Sequence, residues 1–290
     1  MKYLNNPTMA VTALICMLLS SSCSQNTITP SPTPAIMLNS SPTLGFYLAD
    51  SLNNTLYYFS NDFDGKSNCT GGCLSIWPIY YAGENLTQAK LPSSLDIADF
   101  GTITTATGVR QTTYKTWPLY YYAPVVAGTN IRESAGETKG EGVNNIWFVA
   151  KPDYTIMEVN AQLVGNDGKN YKSDYTEGTG KTLYFSDMNG ITLYAFAPDS
   201  FNINKYTKPD FSNNAMWPIY ETNKAVVPSN LDQTLFGSTG VWGKAQLTYK
   251  GWPMYYFGPD SMKRGLNKGV SVPKAGVWPV VVKAAPTAPK

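Results

Sequence analysis

The 290-residue sequence contains no histidine. Histidine is a frequent catalytic base and metal ligand, so its absence excludes Ser-His-Asp and Cys-His catalysis, C-x-x-C-H haem attachment, blue-copper centres and HExxH zinc sites. Charge is also scarce: only 14 % of the residues are Asp, Glu, Lys or Arg, and 22 basic residues nearly balance 20 acidic ones. Nucleic-acid binding requires a concentrated basic face, so we expect no nucleic-acid partner.

Apolar and aromatic residues are plentiful by comparison. Hydrophobic residues make up 43 % of the chain and aromatic residues 13 %, with 20 Tyr and 7 Trp. This composition is typical of a folded chain and not of a disordered one. The length is compatible with one or two domains.

The first 22 residues resemble the signal peptide of a bacterial lipoprotein. Lys2 supplies a positive charge, and residues 9–19 (MAVTALICMLL) form an apolar segment too short to span a bilayer as a helix. Three serines then precede Cys23, although Ser20 stands where the lipoprotein pattern usually has an aliphatic residue. We expect cleavage before Cys23 and acylation of this cysteine. The alternative is secretion without a lipid.

Segments of low complexity flank the body of the protein. Residues 23–43 are rich in Pro, Ser and Thr, which predicts an extended tether between the lipid and the folded part. The final residues 284–290 (AAPTAPK) predict a loose tail.

The body between these segments is a tandem duplication. Four segments recur in the same order: TLYYFSND as TLYAFAPD, WPIY as WPIY, PSSLDIADFG as PSNLDQTLFG, and TYKTWPLYYYAP as TYKGWPMYYFGP. Their offsets drift between 135 and 140 residues, which indicates short insertions and deletions in loops. We place module 1 at residues 44–155, a linker at 156–179 and module 2 at 180–283.

A shorter motif, Tyr-x-aromatic-x-x-Asp, divides the body into four quarter-units. Its three complete copies are Tyr57, Phe59 and Asp62; Tyr194, Phe196 and Asp199; and Tyr255, Phe257 and Asp260. The fourth copy, at Tyr120 and Tyr122, has Val125 where Asp is expected. An Asp after a short strand can accept backbone N–H groups of the next turn, so we interpret the motif as structural. A glycosidase-type carboxylate pair is the alternative, but a residue repeated in each unit is more simply structural.

Local patterns predict an all-β fold. Runs such as LYYF, LYAF and MYYFG alternate with period two and are bounded by turn residues, whereas no long helical stripe is present. We expect two homologous modules, each a small sandwich or barrel-like sheet. A ring of four propeller-like blades is the alternative. In the first strand, Tyr57 and Phe59 face one way and Tyr58 the other, and one of these faces should be core.

Six of the seven tryptophans occupy matching places in the two modules, which favours a role in the core. The pairs are Trp77 with Trp217, Trp117 with Trp252, and Trp147 with Trp278. The alternative is that some Trp or Tyr rings are exposed as a stacking platform for a glycan or a partner protein.

Two of the four cysteines, Cys69 and Cys73, should remain free to pair after Cys16 leaves with the signal peptide and Cys23 is acylated. In an exported protein the default is a disulfide, and the intervening Thr-Gly-Gly allows a tight turn. A redox-active or metal-binding dithiol is the alternative, but no further Cys or His ligands are present nearby. We predict a structural disulfide, no metal and no cofactor.

Taken together, these segments resemble a family of predicted bacterial lipoproteins with a Tyr-x-(Phe/Trp/Tyr)-x-x-Asp motif, also called the secreted repeat of unknown function. The resemblance extends over residues 44–283 and includes NCTGGCLSIWPIYY and GETKGEGVNNIWFVAKPD. It implies an envelope-anchored all-β protein and no particular reaction. The chain departs from the pattern at Val125, in the missing cysteine pair of module 2, and before Trp278, which lacks a GEGVNN-like lead-in.

We therefore predict a non-enzymatic lipoprotein of the bacterial cell envelope, anchored in the outer membrane, with a structural or binding accessory role and no catalytic residues. Its expected partners are the membrane, through the lipid, and a glycan or an envelope protein. Two alternatives remain open: a carbohydrate- or partner-binding module that uses exposed Tyr and Trp rings, and a redox helper that uses Cys69 and Cys73.

Overall fold

Short aromatic segments bounded by turn residues fold into short strands, and this confirms the all-β prediction. The computed structural model describes Met1 and residues 33–290, so the predicted signal peptide, Cys23 and the beginning of the tether lie outside the described residues. The strands are β1 (Ile36–Ser41), β2 (Gly45–Asp50), β3 (Tyr57–Phe59), β4 (Phe100–Thr104), β5 (Arg110–Tyr114), β6 (Trp117–Pro118), β7 (Val125–Val126), β8 (Thr129–Asn130), β9 (Trp147–Val149), β10 (Met157–Val164), β11 (Asn170–Tyr171), β12 (Lys181–Ser186), β13 (Phe236–Val241), β14 (Lys244–Tyr249) and β15 (Trp252–Pro253).

Helical structure in the described part of the chain is limited to single turns. One short α-helix, α1, spans Gly72–Ile76. The 3₁₀ turns are Gln88–Lys90, Ile97–Asp99, Val143–Asn145, Gln233–Leu235, Gly258–Asp260 and Lys268–Ser271. Within residues 33–290, no helix has the length and apolar character needed to cross a membrane.

The strands form several small antiparallel sheets. Their orders are β1-β2, β3-β9, β4-β5-β6, β7-β8, β11-β10-β12 and β13-β14-β15. None of these sheets closes into a barrel. The largest have three named strands, and isolated bridges extend the β3-β9 pair, since Tyr57 also pairs with Tyr120 and Tyr120 with Ile79. The alternative four-bladed ring stays a prediction.

The repeats begin earlier than the sequence comparison indicates. Residues 36–41 of the expected tether are strand β1, which pairs along its whole length with β2. Likewise, the expected linker at 156–179 contains β10, the longest strand described, which pairs with β12 from Met157 to Gln162. Both expectations are therefore wrong at these positions. β1 and β10 open corresponding hairpins, but their sequences, IMLNSS and MEVNAQLV, are too different for self-comparison to detect.

The two repeats meet in a shared hydrophobic cluster, and each repeat also has buried clusters of its own. Tyr58, Trp117 and Phe148 from the first repeat pack in the same buried cluster as Tyr184 and Trp217 from the second. Both faces of β3 are consequently buried: Tyr57 and Phe59 face the core of their own repeat, while Tyr58 belongs to the shared cluster. The prediction that one face is core is confirmed, and the second repeat buries the other face as well. The described residues 33–290 accordingly lie in one compact unit.

Arg264 connects the second repeat to the first. Its Nε and Nη2 atoms donate to the carbonyl oxygens of Phe63 at 3.0 Å and Asp62 at 3.1 Å, and Nη1 donates to the hydroxyl of Thr116. The guanidinium also lies over the Trp117 ring, 4.2 Å from its centroid. Desolvation lowers the pKa of Arg264 to about 10, so the side chain remains charged at neutral pH.

We expect Arg264→Ala to lower the free energy of unfolding by about 2 kcal/mol, because two carbonyl groups at the contact between the repeats lose their donor. Chemical denaturation monitored by circular dichroism measures this change. The exposed neighbour Lys263 supplies the control, and Lys263→Ala should change stability by less than about 0.5 kcal/mol. Equal losses in the two variants would show that Arg264 does not connect the repeats.

The C-terminal segment 284–290 is docked and not loose, which corrects the expectation for the tail. The Trp252 indole donates to the carbonyl of Pro286 at 2.8 Å, and the backbone N–H of Ala288 donates to the carbonyl of Lys250 at 2.9 Å. The tail therefore covers the side of the second repeat on which Trp252 lies. The corresponding Trp117 is instead covered by the second repeat, since its indole donates to a carbonyl of that repeat.

Candidate functional site

The repeated motif residues meet in pairs across each repeat. Tyr57 and Tyr120 form an antiparallel backbone bridge, and Tyr194 and Tyr255 form the corresponding bridge in the second repeat. The bridge places the hydroxyl of each tyrosine beside the carboxylate that follows its partner. Tyr120 thus donates to Asp62 at 2.7 Å.

The other motif residues repeat this arrangement. Tyr255 donates to Asp199 at 2.7 Å and Tyr194 donates to Asp260 at 2.6 Å. All of these side chains are at most 1 % exposed. Each of the three motif aspartates therefore lies beside its own tyrosine, and the aspartates do not converge on a shared cleft.

The fourth pair is completed by a residue that the sequence comparison missed. Val125, which stands in the motif position of Asp, is exposed, and Tyr57 donates instead to Glu133 at 2.5 Å. Glu133 is 7 % exposed and accepts the backbone N–H of Lys139 at 2.7 Å. A longer side chain from a later loop position thus supplies the carboxylate that the motif lacks.

Backbone N–H groups hold the second oxygen of each carboxylate. Asn68 N–H donates to Asp62 at 2.7 Å, Lys205 N–H donates to Asp199 at 2.7 Å, and Lys268 N–H donates to Asp260 at 3.0 Å. As the sequence predicts, these aspartates accept N–H groups from the segments that follow them. The tyrosine on the other oxygen comes from the opposite quarter-unit, which no local sequence pattern reveals.

Both repeats contain a G-x-x-K-G segment, at Gly136–Gly140 and at Gly265–Gly269. The N–H of its lysine donates to Glu133 in the first repeat and to Asp260 in the second, so this segment is the sequence signal that could have located Glu133. Gly140 N–H donates to the Tyr57 hydroxyl at 3.2 Å, and Gly269 N–H donates to Tyr194 at 3.3 Å. A Cβ atom at either glycine would lie 2.8 Å from the tyrosine ring, so only glycine fits. The shared segment ends seven residues before Trp147 and nine residues before Trp278.

Burial raises the pKa of these carboxyl groups. Desolvation is the largest cause at each position and brings the pKa of Asp62 to about 8, of Glu133 to about 7 and of Asp199 to about 6. The pKa of Asp260 is raised for the same reason. Desolvation and the neighbouring carboxylates also raise the pKa of the paired tyrosines, so their hydroxyls stay protonated and donate.

We expect Glu133→Ala to lower the free energy of unfolding by about 2 kcal/mol, because the Tyr57 hydroxyl and the Lys139 N–H both lose a buried acceptor. Thermal and denaturant unfolding of the purified protein measure the loss. Glu177→Ala is the matched control: Glu177 pairs with Lys169 on the surface, and removing an exposed pair should cost less than about 1 kcal/mol. A Glu133 variant as stable as the control would contradict the role assigned to this carboxylate.

The tryptophans form a stack of four rings beside each set of pairs. In the first repeat the order is Phe59, Trp147, Trp77 and Tyr122, with the two indoles 3.8 Å apart and nearly parallel. In the second repeat the order is Phe196, Trp278, Trp217 and Phe257, with the indoles 3.7 Å apart. Trp117 is buried outside these stacks, and Trp252 is partly buried beneath the C-terminal tail.

Cys69 and Cys73 lie at disulfide-bond distance, with their sulfur atoms 1.97 Å apart. Cys69 is 1 % exposed and packs in the same cluster as Trp77. Tyr206 is the counterpart of Cys69 in the second repeat. Cys69 follows Asn68 and Tyr206 follows Lys205, and the N–H of each of these preceding residues donates to a motif aspartate. The Tyr206 ring packs edge-on against Trp278, with the ring centroids 4.9 Å apart. An aromatic ring there replaces the cysteine pair of the first repeat.

Within residues 33–290, no three His, Cys, Asp or Glu side chains come together in an arrangement that could hold a metal ion. The motif carboxyl groups, Glu133 included, are at most 7 % exposed, and each accepts a hydrogen bond from a buried tyrosine hydroxyl. The buried hydrogen bonds between these tyrosines and carboxyl groups join loops that are distant in sequence.

No protein-family model matches the chain, and neither does any curated protein or any solved structure. A function for this chain is therefore inferred from its own residues and their contacts.

Proposed function

We propose that this protein is a non-enzymatic lipoprotein of the bacterial cell envelope with a structural or binding accessory role. The observation that carries the proposal is the burial of the repeated motif residues: Asp62, Asp199 and Asp260 are each held by a tyrosine and a backbone N–H. Residues that are enclosed and fully engaged in this way stabilise the fold and are not exposed to a substrate.

The proposed anchor is an acyl group on Cys23, which follows the lipoprotein-like signal segment. The apolar segment at residues 9–19 and the three serines before Cys23 support this part of the proposal. The expected location is the outer membrane, with residues 24–35 connecting the lipid to strand β1.

Metabolic labelling with a radioactive fatty acid, followed by membrane fractionation, tests the anchor. We expect the wild-type chain to carry the label and to sediment with membranes, and Cys23→Ser to lose both properties. Cys16→Ser is the matched control and should be labelled like the wild type, because Cys16 lies within the segment that is removed. An unlabelled wild-type chain would refute the anchor.

A second candidate function is carbohydrate binding, which requires aromatic rings that face solvent. Most rings of the two repeats are buried, but Trp242 is 57 % exposed. This one observation favours the candidate.

A further inference from the structure

Trp242 differs from the other tryptophans in sequence and in conformation. It is the one tryptophan without a counterpart in the first repeat, where the turn between β4 and β5 contains Thr, Ala and Gly instead. It lies in the turn between β13 and β14 with φ 48°, a backbone region that bulky residues rarely adopt. With Gly243 at φ 90°, Trp242 forms the two-residue turn between the paired residues Val241 and Lys244, so the hairpin itself accounts for this conformation.

The exposed indole is held in place by the protein. Its Nε1 atom donates to the carbonyl oxygen of Thr207 at 2.9 Å. Val241, directly before it, is buried in the shared cluster. The ring therefore presents a fixed apolar face to solvent, and a ligand that packs on it costs the protein little conformational entropy.

A cleft of about 300 Å³ adjoins the ring and is lined by residues 202–204 and 239–242. This volume lies at the lower end of the range of small-ligand sites, ~300–1,000 Å³. None of the lining side chains is charged, which favours a neutral ligand.

Asn202 supplies a polar group beside the ring. Its Oδ1 atom accepts the Thr248 hydroxyl at 3.0 Å, which fixes the orientation of the amide. Its Nδ2 group makes no hydrogen bond within residues 33–290 and is left as a donor. The Asn204 amide, in contrast, already donates to Thr207 and Gln246.

We propose that Trp242 and Asn202 form a binding site for a neutral saccharide. The apolar C–H face of a sugar ring packs on the indole, and a sugar hydroxyl accepts the Nδ2 hydrogen of Asn202. This assignment rests on the carbohydrate-binding candidate and gives it a location. It does not depend on the lipid anchor.

Titration of the purified full-length protein with N-acetylglucosamine trimer, cellotriose and maltotriose tests the site, with intrinsic tryptophan fluorescence and calorimetry as readouts. We expect at least one of these probes to bind and Trp242→Ala to weaken its binding at least tenfold without changing the unfolding temperature. Asn202→Asp keeps the acceptor for Thr248 and removes the donor, so it should weaken binding about threefold to tenfold.

Phe46→Ala is the matched control, since Phe46 is another exposed aromatic residue, 59 % exposed, and its loss should leave binding unchanged. The proposal is overturned if none of the three probes binds at millimolar concentration, or if Trp242→Ala binds as the wild type does. Cys23→Ser should bind the sugar normally, so failure of the anchor and failure of the site can be distinguished.

Discussion

Trp217→Ala is expected to lower the free energy of unfolding by about 3–5 kcal/mol, the usual cost of removing a large buried aromatic side chain. Trp217 is 2 % exposed and lies in the middle of the ring stack of the second repeat. It stacks on Trp278 at 3.7 Å and packs against Phe257 at 4.3 Å. Its loss leaves a cavity that these rigid rings cannot fill.

Denaturant unfolding followed by circular dichroism measures this loss. Trp242→Ala is the matched control, because it removes the same side chain from a surface position and should change stability by about 0.5 kcal/mol or less. If the two variants lost the same stability, the stack would not be part of the core. A Trp217 variant that does not fold supports the role only if the Trp242 variant folds normally.

Stability is expected to fall as the pH rises from about 4 to about 8. Burial raises the pKa of Asp62 to about 8, of Glu133 to about 7 and of Asp199 to about 6. The folded state therefore binds more protons than the unfolded state throughout this interval. By linkage, the free energy of unfolding is highest below the unfolded pKa values and decreases as each group ionises.

Asp199 gives the scale of the effect. Its pKa rises from 3.8 to about 6, and one pKa unit corresponds to about 1.4 kcal/mol, so this group alone accounts for about 3 kcal/mol. The measurement is the free energy of unfolding by denaturant at a series of pH values, with the titration of the carboxyl groups followed by NMR.

Asp199→Asn is the control, because its side chain is uncharged at every pH. We expect its stability to depend less on pH than that of the wild type, by about 3 kcal/mol across the interval. A wild-type stability that increases between pH 4 and pH 8 would contradict the prediction. It would mean that the tyrosine and N–H donors hold these groups ionised in the folded state.

Much of the fold could be predicted from the sequence. The period-two aromatic runs and their turn residues indicated strands, and the spacing of Cys69 and Cys73 indicated a disulfide. The first strand of each repeat was missed, because β1 lies in a segment that resembles a tether and β10 in one that resembles a linker. Pairing with the following strand, and not local composition, makes these segments β.

The candidate site, like the fold, could be predicted from the sequence only in part. The sequence located Asp62 and its equivalents and predicted that they accept N–H groups from the following turn. It did not indicate that the Tyr120 hydroxyl donates to Asp62. It also did not indicate that Glu133 accepts the Tyr57 hydroxyl in the motif copy where Val125 replaces Asp. These partners are 58 and 76 residues apart, so only the folded chain brings them together.

The amino-acid sequence by itself determined the all-β class, the duplication and the absence of histidine chemistry, because these depend on composition and on short-range patterns. The tertiary structure alone decided that the two repeats meet in a shared hydrophobic cluster, that the motif residues pair across each repeat, and that Trp242 remains exposed. Burial and long-range hydrogen bonding depend on which surfaces meet, and residues distant in sequence carry no local record of that contact.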